Sequence, residues 1–537
     1  FKAFGLADPD VGPPNIGYLV TFSSETELYK SDTMQDFINR GAVPSEFLSE
    51  QPRRSSSLQS IAPYIGEYIG TFMLVFTVCF VSFYHNSLFG CTAIGIVLMV
   101  LVYSIAPSSG AHLNPAVSIT LFLLRKVDGH VAISYIFAQI LGGLSGGGAV
   151  YGLFLESLPF GPAEPYNWWQ AMIVEVAYTF MLCFVVANVA ASEGNNPKAD
   201  QNCFYGLAIG FVVIAGAYGG GSISGGCFNP AVSLGVNVPF RCDGWSVWYC
   251  IYQVAGALLA ALLTHICRTQ ERHKTDNSIQ EATVRTQALC EFLGAFMLVL
   301  TVGLNITVDS SAAAWSISAA LMCMIYALGD VSGGHFNPAV TFAIFICGKD
   351  PDKNTKGSLY VRNKTAVYMT AQMMGGVFAG LLNETIHCSV SKDVVNFKLL
   401  GTGPVESSTW EQVAMAEVFF TFVLVFTVLS VAVYTKKDEF GRPDCLTRHK
   451  NHAALAIGLC VMAGGGAIGN VSGGHLNPAV SMGVSSGASL ICRAAGSLRW
   501  ANCLLYMMFQ IGGAALASVM YFATHPDEFE HMDVVRK

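Results

Sequence analysis

Twelve long apolar segments divide this chain, at roughly 62–84, 91–107, 131–153, 168–191, 203–220, 246–266, 284–307, 312–329, 363–386, 409–434, 452–470 and 498–523. Each is long enough to cross a hydrocarbon core of about 30 Å as a helix. Between the second and third segment of every set of three stands a shorter apolar run. Each short run opens with Asn-Pro-Ala-Val, at Asn114, Asn229, Asn337 and Asn477, after a Gly-rich approach. Asn is a strong helix N-cap and Pro is favoured at the first helical position, so each motif reads as a helix start. The run Pro115 to Leu124 would be roughly 15 Å long, half a membrane. Half-spanning helices in a membrane protein point to a pore or binding site near the midplane.

The segments form four near-equivalent units. Each unit begins with a span carrying a Glu, at Glu67, Glu175, Glu291 and Glu417, and ends with a span carrying a Gln, at Gln139, Gln253, Gln372 and Gln510. A unit is thus three spans plus one half-helix. Three is odd, so units one and two are expected to lie inverted in the membrane, and units three and four likewise. Six is even, so the two halves are expected to point the same way. The expected organisation is a disordered tail over 1–60, a first pore domain over 61–266, a linker over 267–283, a second pore domain over 284–523 and a tail over 524–537.

Parity also puts both termini and the linker on one face. That face carries Arg125, Lys126, Arg268, Arg272, Lys274, Arg285, Lys349, Lys353, Lys356 and the loop bases Lys436, Lys437, Arg442, Arg448 and Lys450. The loop 154–167 on the other face has Glu156 and Glu164 and no base, against Lys392 and Lys398 in the loop 387–408. By the positive-inside rule the termini are expected in the cytosol. Asn305-Ile-Thr307 then reads as a glycosylation sequon on the outside.

Composition agrees with a multi-span membrane protein. The 537 residues are 53% hydrophobic and only 12% charged, about half the charge of a soluble domain. Mean hydropathy is +0.48. The 54 glycines fall largely inside apolar stretches, where small residues let helices approach. The net charge of −7 is spread out, with no basic tract suited to nucleic acid. The sixteen cysteines lack metal-ligand spacing, and those in apolar runs, such as Cys79, Cys183 and Cys290, read as buried small hydrophobes. Cys227 stands apart: two residues before Asn229, it is placed either to pack or to react from a pore wall. No signal peptide is visible; Arg53-Arg54 before Ser55–Ser57 is either a phosphorylation site or a solvated tail.

Two inverted half-helices bring their positive N-termini together at the midplane. Such a focus repels cations, including hydronium. Each Asn oxygen would cap its helix while its NH₂ faces the pore as a donor, reorienting water and breaking a proton wire. The four glutamates read as buried braces that accept backbone N–H groups from the half-helix loops, with a proton-coupled role as the alternative. His112, His335 and His475, each two residues before an Asn, are expected to support those loops.

With these motifs the chain resembles the major intrinsic proteins, the aquaporin and glycerol-facilitator family. The resemblance spans about 61–266 and 284–523, and rests on the paired Asn-Pro-Ala motifs, the Glu spans and Ser-Gly-Ala-His-Leu before Asn114. It implies an all-α fold of two fused hourglass domains, each of six helices plus two re-entrant half-helices, and assembly as four pores. Two pores per chain imply a pseudo-tetramer of two chains. The family's usual Arg directly after the second motif is absent, replaced by Val232 and Val480. Counting from the motifs places the remaining filter positions at Ile94, Ala217 and Gly226 in pore one and Ile317, Gly465 and Gly474 in pore two. The glycerol facilitators' Asp shortly after the second motif is absent too; Ser233-Leu234 and Ser481-Met482 stand there. The resulting constriction is wide and apolar, with no fixed cation.

The expected function is a passive, non-enzymatic channel for water and small neutral solutes such as glycerol, urea or ammonia, needing no cofactor and no metal. Its host is a lipid bilayer, either the plasma membrane or an internal one. A non-conducting structural or assembly protein that keeps the fold is the rival reading. A coupled transporter would need ionisable residues along the pathway beyond the braces.

Overall fold

The computed structural model describes residues 57–84, 89–197, 201–272, 281–350, 357–388, 401–434 apart from 406, 450–490, 496–526 and Phe529. Arg53, Arg54, Ser55, Lys274, Lys353, Lys356, Lys392, Lys398, Lys436, Lys437, Arg442 and Arg448, and most of both expected tails, lie outside the described residues.

The first half consists of α1 (Ser57–Phe83), α2 (Gly90–Ser109), α3 (Pro115–Leu123), α4 (Gly129–Phe154), α5 (Trp168–Val189), α6 (Tyr205–Ser224), α7 (Pro230–Asn237) and α8 (Trp245–Cys267). The second repeats the order: α9 (Val284–Thr307), α10 (Ala313–Ser332), α11 (Pro338–Ile346), α12 (Ser358–Cys388), α13 (Trp410–Val428), α14 (Ala453–Ser472), α15 (Pro478–Leu490) and α16 (Gly496–Thr524). Twelve of these are long and apolar enough to cross a membrane, and the short helices α3, α7, α11 and α15 are the expected half-spans. The described residues contain no β-strand. This is a multi-pass integral membrane protein built from two fused six-span repeats.

Most span boundaries fall within a few residues of the hydropathy pattern. The helices α1 and α12 begin about five residues early, at Ser57 and Ser358, because a helix continues past the apolar stretch on which hydropathy reports. The end of α13 passes into a π-turn, Leu429–Val433, closed by Tyr434 N–H on the Leu429 carbonyl at 2.9 Å.

Glycine sets how closely spans approach the half-helices. A Cβ on Gly147 of α4 would collide with the carbonyl oxygen of Gly235 in α7, and one on Gly380 of α12 with that of Gly483 in α15. Backbone meets backbone at these crossings, so the half-helix is seated without a side chain between.

The two halves join through α5 and α6 against α9 and α10. Tyr178 donates its hydroxyl to Thr301 Oγ1 (3.1 Å), Ser316 Oγ donates to the Ala215 carbonyl (2.8 Å) and Cys323 Sγ to the Ala208 carbonyl (3.1 Å). One expectation fails at this junction. Asn305 is fully buried and donates to the Thr301 carbonyl and to Ser316 Oγ. It is a packing residue at the end of α9, closed to a glycan.

Candidate functional site

Each half-helix starts as the sequence requires. Asn114, Asn229 and Asn337 have extended backbones; in all four motifs Pro is next in line and the Asn side-chain oxygen accepts the N–H two residues on, at 2.8–3.0 Å. The amide nitrogens do more than face an opening. Asn114 Nδ2 donates to the Phe228 carbonyl (3.0 Å) and Asn229 Nδ2 to the Leu113 carbonyl (2.9 Å). Asn337 Nδ2 donates to the Leu476 carbonyl and Asn477 Nδ2 to the Phe336 carbonyl, both at 3.0 Å. Each Asn therefore clips the loop that precedes its opposite number. One of its two N–H bonds is spent on this clip.

The carbonyls that receive these bonds are aimed by unusual backbone. Leu113, Phe228, Phe336 and Leu476 all have φ between 47° and 55°, a left-handed conformation that non-glycine residues adopt only when their surroundings enforce it.

The enforcing group is the glutamate. Glu67 takes the N–H groups of His112 (2.9 Å) and Leu113 (2.7 Å), the hydroxyl of Ser109 (2.6 Å) and the amide of Gln139 (2.7 Å). Glu175 takes the same four from Cys227, Phe228, Ser224 and Gln253 at 2.7–3.0 Å. Glu291 and Glu417 repeat the pattern with His335, Phe336, Ser332 and Gln372, and with His475, Leu476, Ser472 and Gln510. All four glutamates are fully buried. A carboxylate accepts at two oxygens and donates nowhere, which suits four converging donors.

Sequence reasoning noted the glutamines without giving them a task, and missed two further sets. A hydroxyl residue stands five before and four after every Asn: Ser109 and Ser118, Ser224 and Ser233, Ser332 and Thr341, Ser472 and Ser481. The later one of each pair receives the glutamine amide in all four units, at 2.8–3.0 Å. It also meets the ring nitrogen of His112, His335 and His475, at 3.0–3.1 Å. Tyr135, Tyr249, Tyr368 and Tyr506, each four before a Gln, donate to the carbonyl of the earlier serine at 2.7–2.9 Å. These constant offsets were the available signal.

Two cavities run past these loops. One, of about 560 Å³, is lined by Asn114, Asn229, Ile94, Ala217, Gly226 and Val232. The other, of about 720 Å³, is lined by Asn337, Asn477, Ile317, Gly465, Gly474 and Val480. Each half thus brings its Asn pair and all four expected filter positions to one cavity. Gly226 lies against Ala217 and Gly474 against Gly465, and both outer glycines have φ above 60°, so a side chain there would strain the backbone. Cys227 also lines the first cavity, while Cys79, Cys183 and Cys290 are buried in the core. Among the described residues no group of His, Cys, Asp or Glu is placed to hold a metal ion.

The sequence profile named major intrinsic protein matches residues 54–241, 204–310, 302–447 and 405–535, between them almost all of the chain. The chain belongs to the major intrinsic protein family. Its overlapping matches reflect the tandem repeat. Nodulin-26 of Glycine max is 33% identical over 250 residues, 44% of this chain and 88% of that protein. Glycerol uptake facilitator protein-like 6 of Lactiplantibacillus plantarum is 32% identical, over 39% of this chain and 99% of its own length. The aquaglyceroporin from Plasmodium falciparum is 24% identical, covering 38% of this chain and 94% of that one, with a TM-score of 0.34. Nodulin-26 and the glycerol uptake facilitator protein-like 6 each align with less than half of this major intrinsic protein, as a duplicated chain requires.

Proposed function

We propose that this protein is a passive channel with two pores per chain, one in 61–266 and one in 284–523, for water and small neutral solutes such as glycerol, urea or ammonia. The observation that carries the reading is the convergence, in each half, of one reciprocal Asn pair and four filter positions on a single cavity. Asn114 with Asn229, and Asn337 with Asn477, act at the midplane as donors to the solute file, between two half-helix N-termini whose partial positive charge opposes cations. The filters, Ile94, Ala217, Gly226 and Val232, and Ile317, Gly465, Gly474 and Val480, admit solutes wider than water because no Arg narrows them. The glutamates serve as braces. A proton-coupled role would leave loop N–H groups without an acceptor whenever a carboxylate was protonated.

Assembly of two chains around four pores has support in unequal burial. Repeat-related residues have the same neighbours within their own half, so any difference comes from the other half. Met297 is fully buried and its counterpart Met73 is 39% exposed; Met181 is fully buried and its counterpart Val423 is 40% exposed. The surface of α1, α2, α13 and α14 thus repeats the apolar faces that α9, α10, α5 and α6 use to join the halves, and a second copy would fit there. A cytosolic placement of the face where α1 begins and α16 ends is supported by the bases Arg125, Lys126, Arg268, Arg272, Arg285 and Lys349 in the loops of that face.

The test is stopped-flow light scattering on proteoliposomes with water, glycerol and urea. Solute flux above empty vesicles, abolished when all four Asn are replaced, supports the channel. Background flux from well-folded protein would sink it in favour of the scaffold reading.

A further inference from the structure

The turn joining α9 to α10 belongs to the second half, yet it borders both cavities. Val308, Ser310 and Ser311 line the first-half cavity beside the filter of pore one. Asp309, Ser310 and Ser311 line the second-half cavity beside the filter of pore two. The two serines therefore form a partition with one pore on either side.

The turn is built to hold its place. Asp309 N–H donates to the Ile306 carbonyl (3.1 Å), Ser310 N–H to the Asn305 carbonyl (2.9 Å) and Ala313 N–H to the Ser310 carbonyl (3.2 Å). This is a closed helix C-terminus with Asp309 at φ 51°, a conformation that Asp tolerates better than most residues. Just beyond it, Trp315 pins the turn to the other half. Its indole Nε1 donates to Thr92 Oγ1 (3.2 Å), Thr92 shares a hydrogen bond with the Tyr218 hydroxyl (3.0 Å), and the Trp315 ring meets Phe211 edge-on at 5.1 Å. Tyr218 follows the filter residue Ala217 in sequence and itself lines the first cavity. A residue of the second half is thus tied through two hydrogen bonds to the wall of the first pore.

We propose that the turn Val308–Ala312 is a solute-selecting wall common to both pores, so that pore one takes part of its specificity from the second half. The inference rests on the channel reading above. Its chemistry follows from what the filters lack. Their side chains are aliphatic or absent, so they offer no side-chain hydrogen bond to a solute losing its hydration. The hydroxyls of Ser310 and Ser311 supply both donor and acceptor at the mouth, which suits small neutral solutes bearing hydroxyl or amide groups. Asp309 borders only the second cavity and adds an acceptor there, so the two mouths differ in chemistry although the filters are alike.

The test uses the full chain in proteoliposomes, carrying Cys227→Ser so that pore one is freed of that thiol. Val480→Arg closes pore two to glycerol in one version, and Val232→Arg closes pore one in another. Ser311 is exposed, so Ser311→Cys is a mild change, and an impermeant anionic methanethiosulfonate then adds bulk and charge at the turn. Labelling is confirmed by mass. The expected result is a drop in glycerol flux of at least threefold in both versions, relative to the same versions with Ser311 and the same reagent. A drop only when pore one is the closed one would overturn the inference, since the turn would then serve pore two alone. Ser310→Cys repeats the test from the neighbouring position, should one site label poorly. Absence of glycerol flux in the unlabelled parent is a distinct failure, because it removes the channel reading and this inference with it.

Discussion

Arg268, at the end of α8, forms a two-pronged ion pair with Asp330 in the last turn of α10. Arg268 is 5% exposed, and its guanidinium leaves no prong idle. It also donates to Glu271 (3.1 Å), to Asn188 Oδ1 (2.7 Å) and to the Ala327 carbonyl (2.9 Å). Glu271 in turn accepts the N–H groups of Glu193 and Gly194. A first-half residue thus fastens a loop of its own half and a helix of the other. The repeat-related positions, Pro107 for Asp330 and His525 for Arg268, carry no such pair.

Replacing Arg268 with Ala should therefore loosen the junction between the halves. It strips two carboxylates, Asp330 and Glu271, a carbonyl and an amide oxygen of their shared donor together. We expect a loss of about 3 kcal/mol, within the range for breaking a buried pair, seen as a lower thermal midpoint in detergent. Arg268→Lys should recover only part, because an ammonium cannot present the planar fork. An unchanged midpoint in Arg268→Ala would mean that apolar packing alone joins the halves.

Glu67→Gln tests the brace. The amide keeps one acceptor oxygen but turns the other into a donor facing the donors already there. Two hydrogen bonds become donor–donor contacts in a fully buried site. The loop before Asn114 should then lose its left-handed conformation and pore one its flux, at a cost of roughly 3 kcal/mol. The same change at Glu291 should silence pore two instead. Flux measured in each single variant, with the other pore closed by Arg at its filter, checks the assignment.

Gly147 and Gly148 make a paired test of backbone contact. A Cβ at Gly147 would strike the Gly235 carbonyl, whereas one at Gly148 meets nothing within 4 Å. Gly147→Ala should displace α7 and cost about 1–3 kcal/mol by overpacking. Gly148→Ala should be neutral, or stabilising by up to about 1 kcal/mol, since it removes a glycine from a helix interior. Equal effects of the two changes on the thermal midpoint would show that the α4–α7 crossing is looser than its geometry indicates.

Much of this was legible in the sequence, and for an identifiable reason. A bilayer permits few backbone solutions, so hydropathy finds the spans and Asn-Pro marks the helix starts. Glu67, Glu175, Glu291 and Glu417 stood out because a charge inside a span demands an explanation. The clip from Asn114 to the Phe228 carbonyl did not, because it joins residues 114 apart in number through a backbone atom that every residue possesses. The serines at fixed offsets from each Asn were visible but chemically mute, since Ser is common in membrane helices. Asn305 shows the opposite error: Asn-Ile-Thr reads as a surface signal, and only packing against Ser316 reveals that it is buried. The partition formed by Ser310 and Ser311 depends on how two domains meet, which no motif within either domain records.

Arg at the filters is the sharpest test of the proposed selectivity. Val232 and Val480 are each 3% exposed and sit in the first turn of α7 and α15, facing cavities whose other filter residues include Ala217 and Gly226 in one and Gly465 and Gly474 in the other. An Arg there has room to extend across the opening, and it brings five donors and a fixed charge. It should narrow the path for glycerol while still offering water a partner. We expect the double variant to lose glycerol flux about tenfold, the effect of roughly 1.4 kcal/mol added to the barrier, with a smaller loss of water flux. The single variants divide the total. If both pores conduct, Val232→Arg and Val480→Arg should each remove a part of the glycerol flux, and the parts should sum to the loss in the double variant. If one single variant accounts for the whole loss, only one pore conducts glycerol. Undiminished glycerol flux in the folded double variant would place the constriction elsewhere in the cavities.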